Sequence, residues 1–589
     1  MRHIHGARSI VRNKQGFARL CRFFNTCCGR QKRPKVERAF SAKNLRSACR
    51  LAWRRTMRSA LPLRLSKNCA LGSAASLVEE LTYYVPLSLP FLIANLFTLE
   101  NLAPWIDEVM FLDTSYNAAV HGVWETTAWY RVAGHHPFST YPPLYQMLSA
   151  LWMQLFGCSL VAVRSLNLLL TFVLGVACLR LMPWRRETEG RGRNVRAWTT
   201  VLFTLLLWGT GEIMWMYRNG RPDMLCALTF VSAVLAIRCY LLSHSVSGRL
   251  AVVVASALLP CAGIQAATCL MALWLFSFVV AKGRRREALR LLPFLLTGIL
   301  LGLLLVAFFM LAHGRLLGFA SSIMQYSSTL SAIALSVLPW AGRMLDFDPM
   351  PYTRKLLELS AQPSLDQRLT PIAEYRSFLI LSVICFIAFV TIYRHRLRSL
   401  SGNMGFLSLL YAFYVPVAMN VAGRFTVYYR WMAFLPLVWS VVYVAVRDRR
   451  WLAVFGATAL VLAGSGLRSM QPAGQWDHEC LHSFVRRRHF RPSDSVVCPF
   501  SLFYEMKPLC DTCYFVGIFP TEYLGRVDYI IAPEGGDAFD RPIVDYVNRL
   551  RTDSTIVLIP LDYCSRPPLT LYKVEHRTDS ITQNPIPNV

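Results

Sequence analysis

Eleven apolar runs, almost free of charge, constrain this chain more than any other feature of its sequence: residues 83–99, 159–182, 197–216, 224–243, 250–264, 267–281, 289–311, 376–393, 404–421, 431–446 and 451–468. A helix of about 20 apolar residues, rising ~1.5 Å per residue, crosses the ~30 Å hydrocarbon layer of a bilayer and satisfies its own backbone polar groups. The pattern therefore predicts an all-α polytopic membrane protein with about eleven transmembrane helices. Only 16% of the 589 residues are charged, against roughly 25% in soluble globular domains, which excludes an ordinary soluble enzyme.

Basic loops should collect on the cytoplasmic side, and this tests the count. With the N-terminus inside, eleven crossings place Arg185 to Arg196, His244 to Arg249, Lys282 to Arg290, Arg394 to Arg398 and Arg447 to Arg450 all in the cytoplasm. The apolar stretch from Pro142 to Gly157 is too short to span comfortably, and counting it as a crossing would turn every later basic loop outward. It reads as an interfacial or re-entrant helix on the outer face, with a short tilted span as the alternative. The outer face then receives loops 100–158 and 312–376, the turns Tyr217 to Asp223 and Gly423 to Arg430, and the C-terminus.

The net charge of +29 suggests nucleic acid until it is apportioned: 19 Lys/Arg and a single acid, Glu37, lie in residues 1–77. That stretch lacks amphipathic period and reads as a disordered cytoplasmic arm touching anionic lipid. An organellar transit peptide, or a gene start set too far upstream of Met57, has the same composition. No cleaved signal peptide and no nucleic-acid partner is expected. Residues 78–468 form the membrane domain. In residues 469–589 charge returns and short apolar runs at Ser495 to Pro499, Cys513 to Ile518, Asp528 to Ala532, Thr555 to Pro560 and Leu569 to Val574 alternate with helical stretches, as in a small α/β domain. Its five cysteines, Cys480, Cys498, Cys510, Cys513 and Cys564, are open between disulfides and packed thiols; Cys510 and Cys513 have redox spacing without a thioredoxin-like context.

Chemistry-bearing residues gather where spans meet the outer face. Asp107 and Glu108 follow the first span directly; on a helix they point about 100° apart, so one can face a reaction while the other orients it or binds a cation. Farther along the same loop lie Asp113, His121, Glu125, His135 and His136. The turn Tyr217-Arg218-Asn219-Gly220-Arg221-Pro222-Asp223 sets two arginines on the side that the other loops leave free of positive charge, and guanidinium forks match phosphate oxygens. Arg424, Tyr429 and Arg430 repeat that pattern before a span containing Pro436. A lone ion pair or lipid-headgroup contact would place arginines similarly.

The order of these features resembles the GT-C membrane glycosyltransferases, and within them the branch of protein O-mannosyltransferases, lipid A aminoarabinose transferases and lipopolysaccharide galacturonosyltransferases. The features are Asp-Glu after the first span, Tyr-Pro-Pro-Leu-Tyr opening an apolar helix that ends Leu-Phe-Gly at 155–157, Arg164, Arg-Pro-Asp at 221–223, and an Arg…Tyr…Pro span near 430. They cover about residues 80–470; the arm and the C-terminal domain fall outside. The resemblance implies an integral-membrane hexosyl- or pentosyltransferase that moves one sugar from a polyprenyl-phosphate carrier to a lipid, lipopolysaccharide or protein hydroxyl on the outer face. It implies Asp107 as base, Glu108 as a supporting acid or cation ligand, and Arg218, Arg221, Arg424 and Arg430 as a phosphate clamp. Asp223 would fix an arginine or face the acceptor, and Tyr429 would donate to the phosphate. No cofactor is fixed by it; a divalent cation on Asp107 or Glu108 stays open. Partners are then the lipid-linked sugar, membrane lipids and the acceptor. The absence of an outer N-x-Ser/Thr sequon favours a bacterial inner membrane. A transporter or flippase of a lipid-linked or anionic substrate, or a non-catalytic lipid-sugar-binding relative, is the competing expectation.

Overall fold

The computed structural model describes residues 74–104, 106–126, 141–182, 193–280, 285–317, 319, 376–394, 403–421, 430–468, 477–516, 527–534 and 541–576. Each of the eleven apolar runs is helical: α1 (Ala74–Thr98), α4 (Leu160–Leu181), α5 (Arg193–Gly209) continued by α6 (Gly211–Tyr217), α7 (Asp223–Ser243), α8 (Val246–Ala262), α9 (Ile264–Val280), α10 (Arg285–Ala312), α11 (Arg376–Tyr393), α12 (Met404–Val421), α13 (Arg430–Arg447) and α14 (Arg449–Arg468). Between α1 and α4 lie a short 3-10 turn (Leu99–Asn101), α2 (Ile106–Val120) and α3 (Leu144–Phe156). Among the described residues six helices are long and apolar enough to cross a bilayer, a bent pair makes a seventh, and α8, α9, α11 and α12 are shorter apolar helices. The protein is a polytopic helical membrane protein.

Two differences from the sequence reading have plain physical causes. The first helix begins at Ala74, taking in residues read as arm. The run 197–216, read as one span, is broken: α5 and α6 meet at 61° around Thr210, flanked by Gly209 and Gly211. Two glycines in three residues weaken the helix there. The close approach of α14 needs Gly209 as well, since a Cβ on it would overlap Ala463, and one on Gly466 of α14 would overlap the Gly209 carbonyl. Elsewhere small residues do the same work. Gly298 and Gly302, four apart on α10, lie against the carbonyls of Val253 and Ala257 on α8 with no room for a Cβ. In lipid, where apolar attraction between helices is weak, such close packing holds them together. The opposite side of α10 exposes Leu296, Leu300, Leu304 and Phe308, as lipid-facing residues should be.

The helix α3 has 13 residues, about 20 Å at 1.5 Å per residue. That is short of a bilayer. Its buried side carries Tyr145, Gln146, Ser149 and Met153, and its exposed side Met147, Leu151, Leu155 and Phe156.

The C-terminal domain is a five-stranded sheet in the order β2-β1-β3-β5-β4, with β1 (Ser495–Pro499), β2 (Thr512–Val516), β3 (Tyr529–Pro533), β4 (Ile556–Ser565) and β5 (Pro568–His576). The β1 pairings are parallel and the β5 pairings antiparallel. Its helices are α15 (His478–Arg487), the single turn α16 (Phe503–Met506) and α17 (Arg541–Thr552). Successive strand residues face opposite ways. Val497 and Ile530 therefore join Ile543 and Val547 of α17 in a small core, while Val496, Cys498 and Ile531 face the other way into the core shared with the helical part. Of the two readings left open for the five cysteines, they stand here as free thiols; the closest pair, Cys480 and Cys564, has its sulfurs 2.9 Å apart.

Candidate active site

The site is built at the start of α2. Asp107 and Glu108 are its second and third residues, where the helix N-terminus favours acids. As their 100° separation predicts, they serve different neighbours. Asp107, the more open at 27% exposure, pairs through Oδ2 with Nη1 of Arg221. Arg221 is buried over the Phe111 ring, and its Nε donates to Asp223 Oδ2 at 2.9 Å, so one guanidinium bridges two carboxylates.

Glu108 is fully buried and accepts Arg164 Nε at 2.9 Å and Nη2 at 2.7 Å. Arg164, in the first turns of α4, spends its other donors on the carbonyls of Leu99 (2.7 Å), Leu102 (2.8 Å) and Ala103 (3.1 Å). The whole fork is thus used to fix the link between α1 and α2. This charge inside a span was legible as a residue needing a partner. Tyr504 of α16 completes the shell, its hydroxyl 3.0 Å from Glu108 Oε1, and no sequence pattern joins residues 396 apart.

The turn after α6 is held from below. Asn167 on α4 donates to the carbonyls of Asn219 and, at 2.8 Å, Arg221. Gly220 has to be glycine because a Cβ would press on Leu112 and sit 2.8 Å from Glu108 Oε1. The turn is buried, which sets it apart from arginines reaching for lipid headgroups: Arg218 is 1% exposed and Asp223 0%. Arg218 donates through Nη2 to the Thr98 carbonyl, while its Nε and Nη1 meet no hydrogen-bond partner among the described residues. A buried guanidinium with idle donors is suited to receive an anion.

The structure therefore gathers Asp107, Glu108, Arg218, Arg221 and Asp223, and adds Arg164, Asn167 and Tyr504. Arg430 opens α13, where its charge acts on Glu212 at the far end of α6. Arg424, Tyr429, His135 and His136 lie outside the described residues. So does most of the loop 312–376. As for a cation on Asp107 or Glu108, neither belongs to a group of His, Cys, Asp or Glu able to hold a metal among the described residues; both face arginine instead.

No protein-family model matches the chain, and no curated protein does. Thirteen chains of solved structures are similar to it, among them two structures of one protein. The crystal structure of ArnT from Cupriavidus metallidurans bound to undecaprenyl phosphate aligns at a TM-score of 0.49 and 10% identity, covering 84% of this chain and 98% of that one. The apo state of the same protein aligns at 0.39 and 12% identity, covering 85% and 98%.

Proposed function

We propose that the protein is a membrane glycosyltransferase that moves a single sugar from a polyprenyl-phosphate carrier to an acceptor hydroxyl of a lipid, lipopolysaccharide or protein at the outer face. The observation that carries this reading is the pairing of one partly open carboxylate, Asp107, with buried guanidinium groups at the membrane boundary. A sugar leaving a phosphate passes through an oxocarbenium-like transition state, and the site must take a proton on one side and hold negative charge on the other.

The acceptor oxygen attacks the anomeric carbon, the bond from that carbon to the carrier phosphate breaks, and the acceptor's proton passes to Asp107. Arg221 holds Asp107 aimed, braced from behind by Asp223. Arg218 offers its idle donors to the departing phosphate, with Arg424, Arg430 and Tyr429 as further members of the clamp. Backside attack inverts the sugar. Glu108, occupied by Arg164 and Tyr504, serves as a brace for the catalytic turn.

In native membranes at matched expression, Asp107→Asn should abolish glycosylated product while lipid-linked sugar accumulates, scored by mass spectrometry. Unchanged product and carrier pools would overturn both the base and the reading.

A further inference from the structure

The link between β1 and β2 does more than cross over. Within four residues it carries Tyr504, Glu505 and Lys507, and each reaches a different partner beyond its own sheet. Tyr504 donates to Glu108 at 3.0 Å. Lys507 Nζ lies 2.9 Å from Asp113 Oδ1, both side chains being almost completely buried, and sits over the Tyr116 ring. Phe503 meets the same ring edge-on at 6.3 Å. Glu505 accepts His482 Nδ1 at 2.7 Å and faces His478 Nε2 at 3.5 Å, and His478 is also 3.8 Å from Glu100 beside the first span.

Four of these contacts fall on three residues of α2. Glu108, Asp113 and Tyr116 lie within about 140° of one another around that helix, on the side turned to the C-terminal domain. Asp107 stands one residue before Glu108. A buried ion pair costs much of what it gains, so the Lys507–Asp113 pair is better understood as fixing register than as adding stability. The Tyr504 phenol, pushed far above its usual pKa by burial and by the charge of Glu108, remains a donor at every physiological pH.

We propose that the C-terminal domain is a working part of the transferase site, with Tyr504 and Lys507 as positioning residues that seat α2 and so set the direction of Asp107. The inference rests on the proposed glycosyltransferase function. The phosphate-binding donors of Arg218 stand on the α6–α7 turn, and neither they nor the other proposed clamp residues depend on Tyr504 and Lys507.

The test uses the full chain in nanodiscs for hydrogen exchange and for binding of undecaprenyl phosphate as the probe, and native membranes for transfer. In Tyr504→Phe and Lys507→Met, exchange in residues 106–120 should rise about tenfold while β1 and β3 stay protected. Product should fall up to about a hundredfold with undecaprenyl phosphate affinity unchanged, since misplacing a catalytic group costs that much. Lys507→Arg, which keeps the charge, should restore product. Unchanged exchange in residues 106–120, unchanged product, or a Lys507→Arg variant as weak as Lys507→Met would each overturn the proposal. If the wild type neither binds the probe nor loses product on Asp107→Asn, the transferase reading fails, and the exchange data still decide whether the C-terminal domain positions α2.

Discussion

Arg164 and Arg221 are both buried arginines facing carboxylates, yet they do different work. Arg221 shares itself between Asp107 and Asp223 and leaves Asp107 partly open, whereas Arg164 spends all its donors on Glu108 and three carbonyls. Replacing Arg164 by Met would strand a buried carboxylate and three carbonyl oxygens. The expected cost is about 3–5 kcal/mol, read as a lower thermal midpoint of the purified protein in detergent. Arg221→Met should lose transfer and also lower the thermal midpoint, because Asp107 can turn to water but the buried Asp223 cannot. At this scale the sequence was informative about residue type only. Acids and arginines at span ends stand out, since charge there needs a reason. Their pairing does not, because Asp107 and Arg221 are 114 positions apart and Glu108 and Tyr504 are 396 apart.

The elements were the most legible part, because a 30 Å apolar layer leaves a chain only two ways to cross it. All eleven runs are helices, and the strands fall near their expected places, Ile556–Ser565 extending well past the residues assigned to it. The break at Thr210 was written as Gly209-Thr210-Gly211, but a hydropathy pattern does not register backbone freedom. Packing partners were hidden too, though Gly298 and Gly302 have the four-residue spacing that lets helices touch. Gly302→Leu should force α10 away from Ala257 of α8 and lower the thermal midpoint by the equivalent of about 1–3 kcal/mol. The same variant at Gly456, where nothing lies within 4 Å of an added Cβ, should not. In the sheet domain, burial pushes the Cys498 thiol well above its usual range and Cys564 up to about 12, and hydrogen bonding with Cys510 raises Cys513. A raised thiol is neutral at pH 8 and becomes a nucleophile only as pH climbs toward its pKa. Iodoacetamide at pH 8 should therefore label Cys480 in the folded protein and spare Cys498, Cys513 and Cys564. Rapid labelling of Cys510 and Cys513 would revive the redox reading of their spacing.

For the whole molecule the decisive quantity is parity. Between Ser247, exposed at the start of α8, and Asp553, exposed after α17, the described residues include the seven apolar helices α8 to α14. Seven crossings put these two positions on opposite faces of the membrane. The basic residues Arg249, Arg394 and Arg447 then share the face of Ser247, as the distribution of positive charge requires. Four of the seven are shorter than the bilayer comfortably demands, so each must tilt little or thin the lipid locally. Parity is sensitive to any one of them failing to cross. With cysteine introduced at Ser247 or Asp553, a membrane-impermeant maleimide applied to intact cells should add label over the wild-type background only for Asp553→Cys. After permeabilisation Ser247→Cys should label as well. Labelling of both from outside, or of neither, would mean that an even number of these helices crosses. In either case the C-terminal domain would share a face with the loop at Ser247, and with neither position labelled a site joining Asp107 to Tyr504 would have to open on the cytoplasmic side.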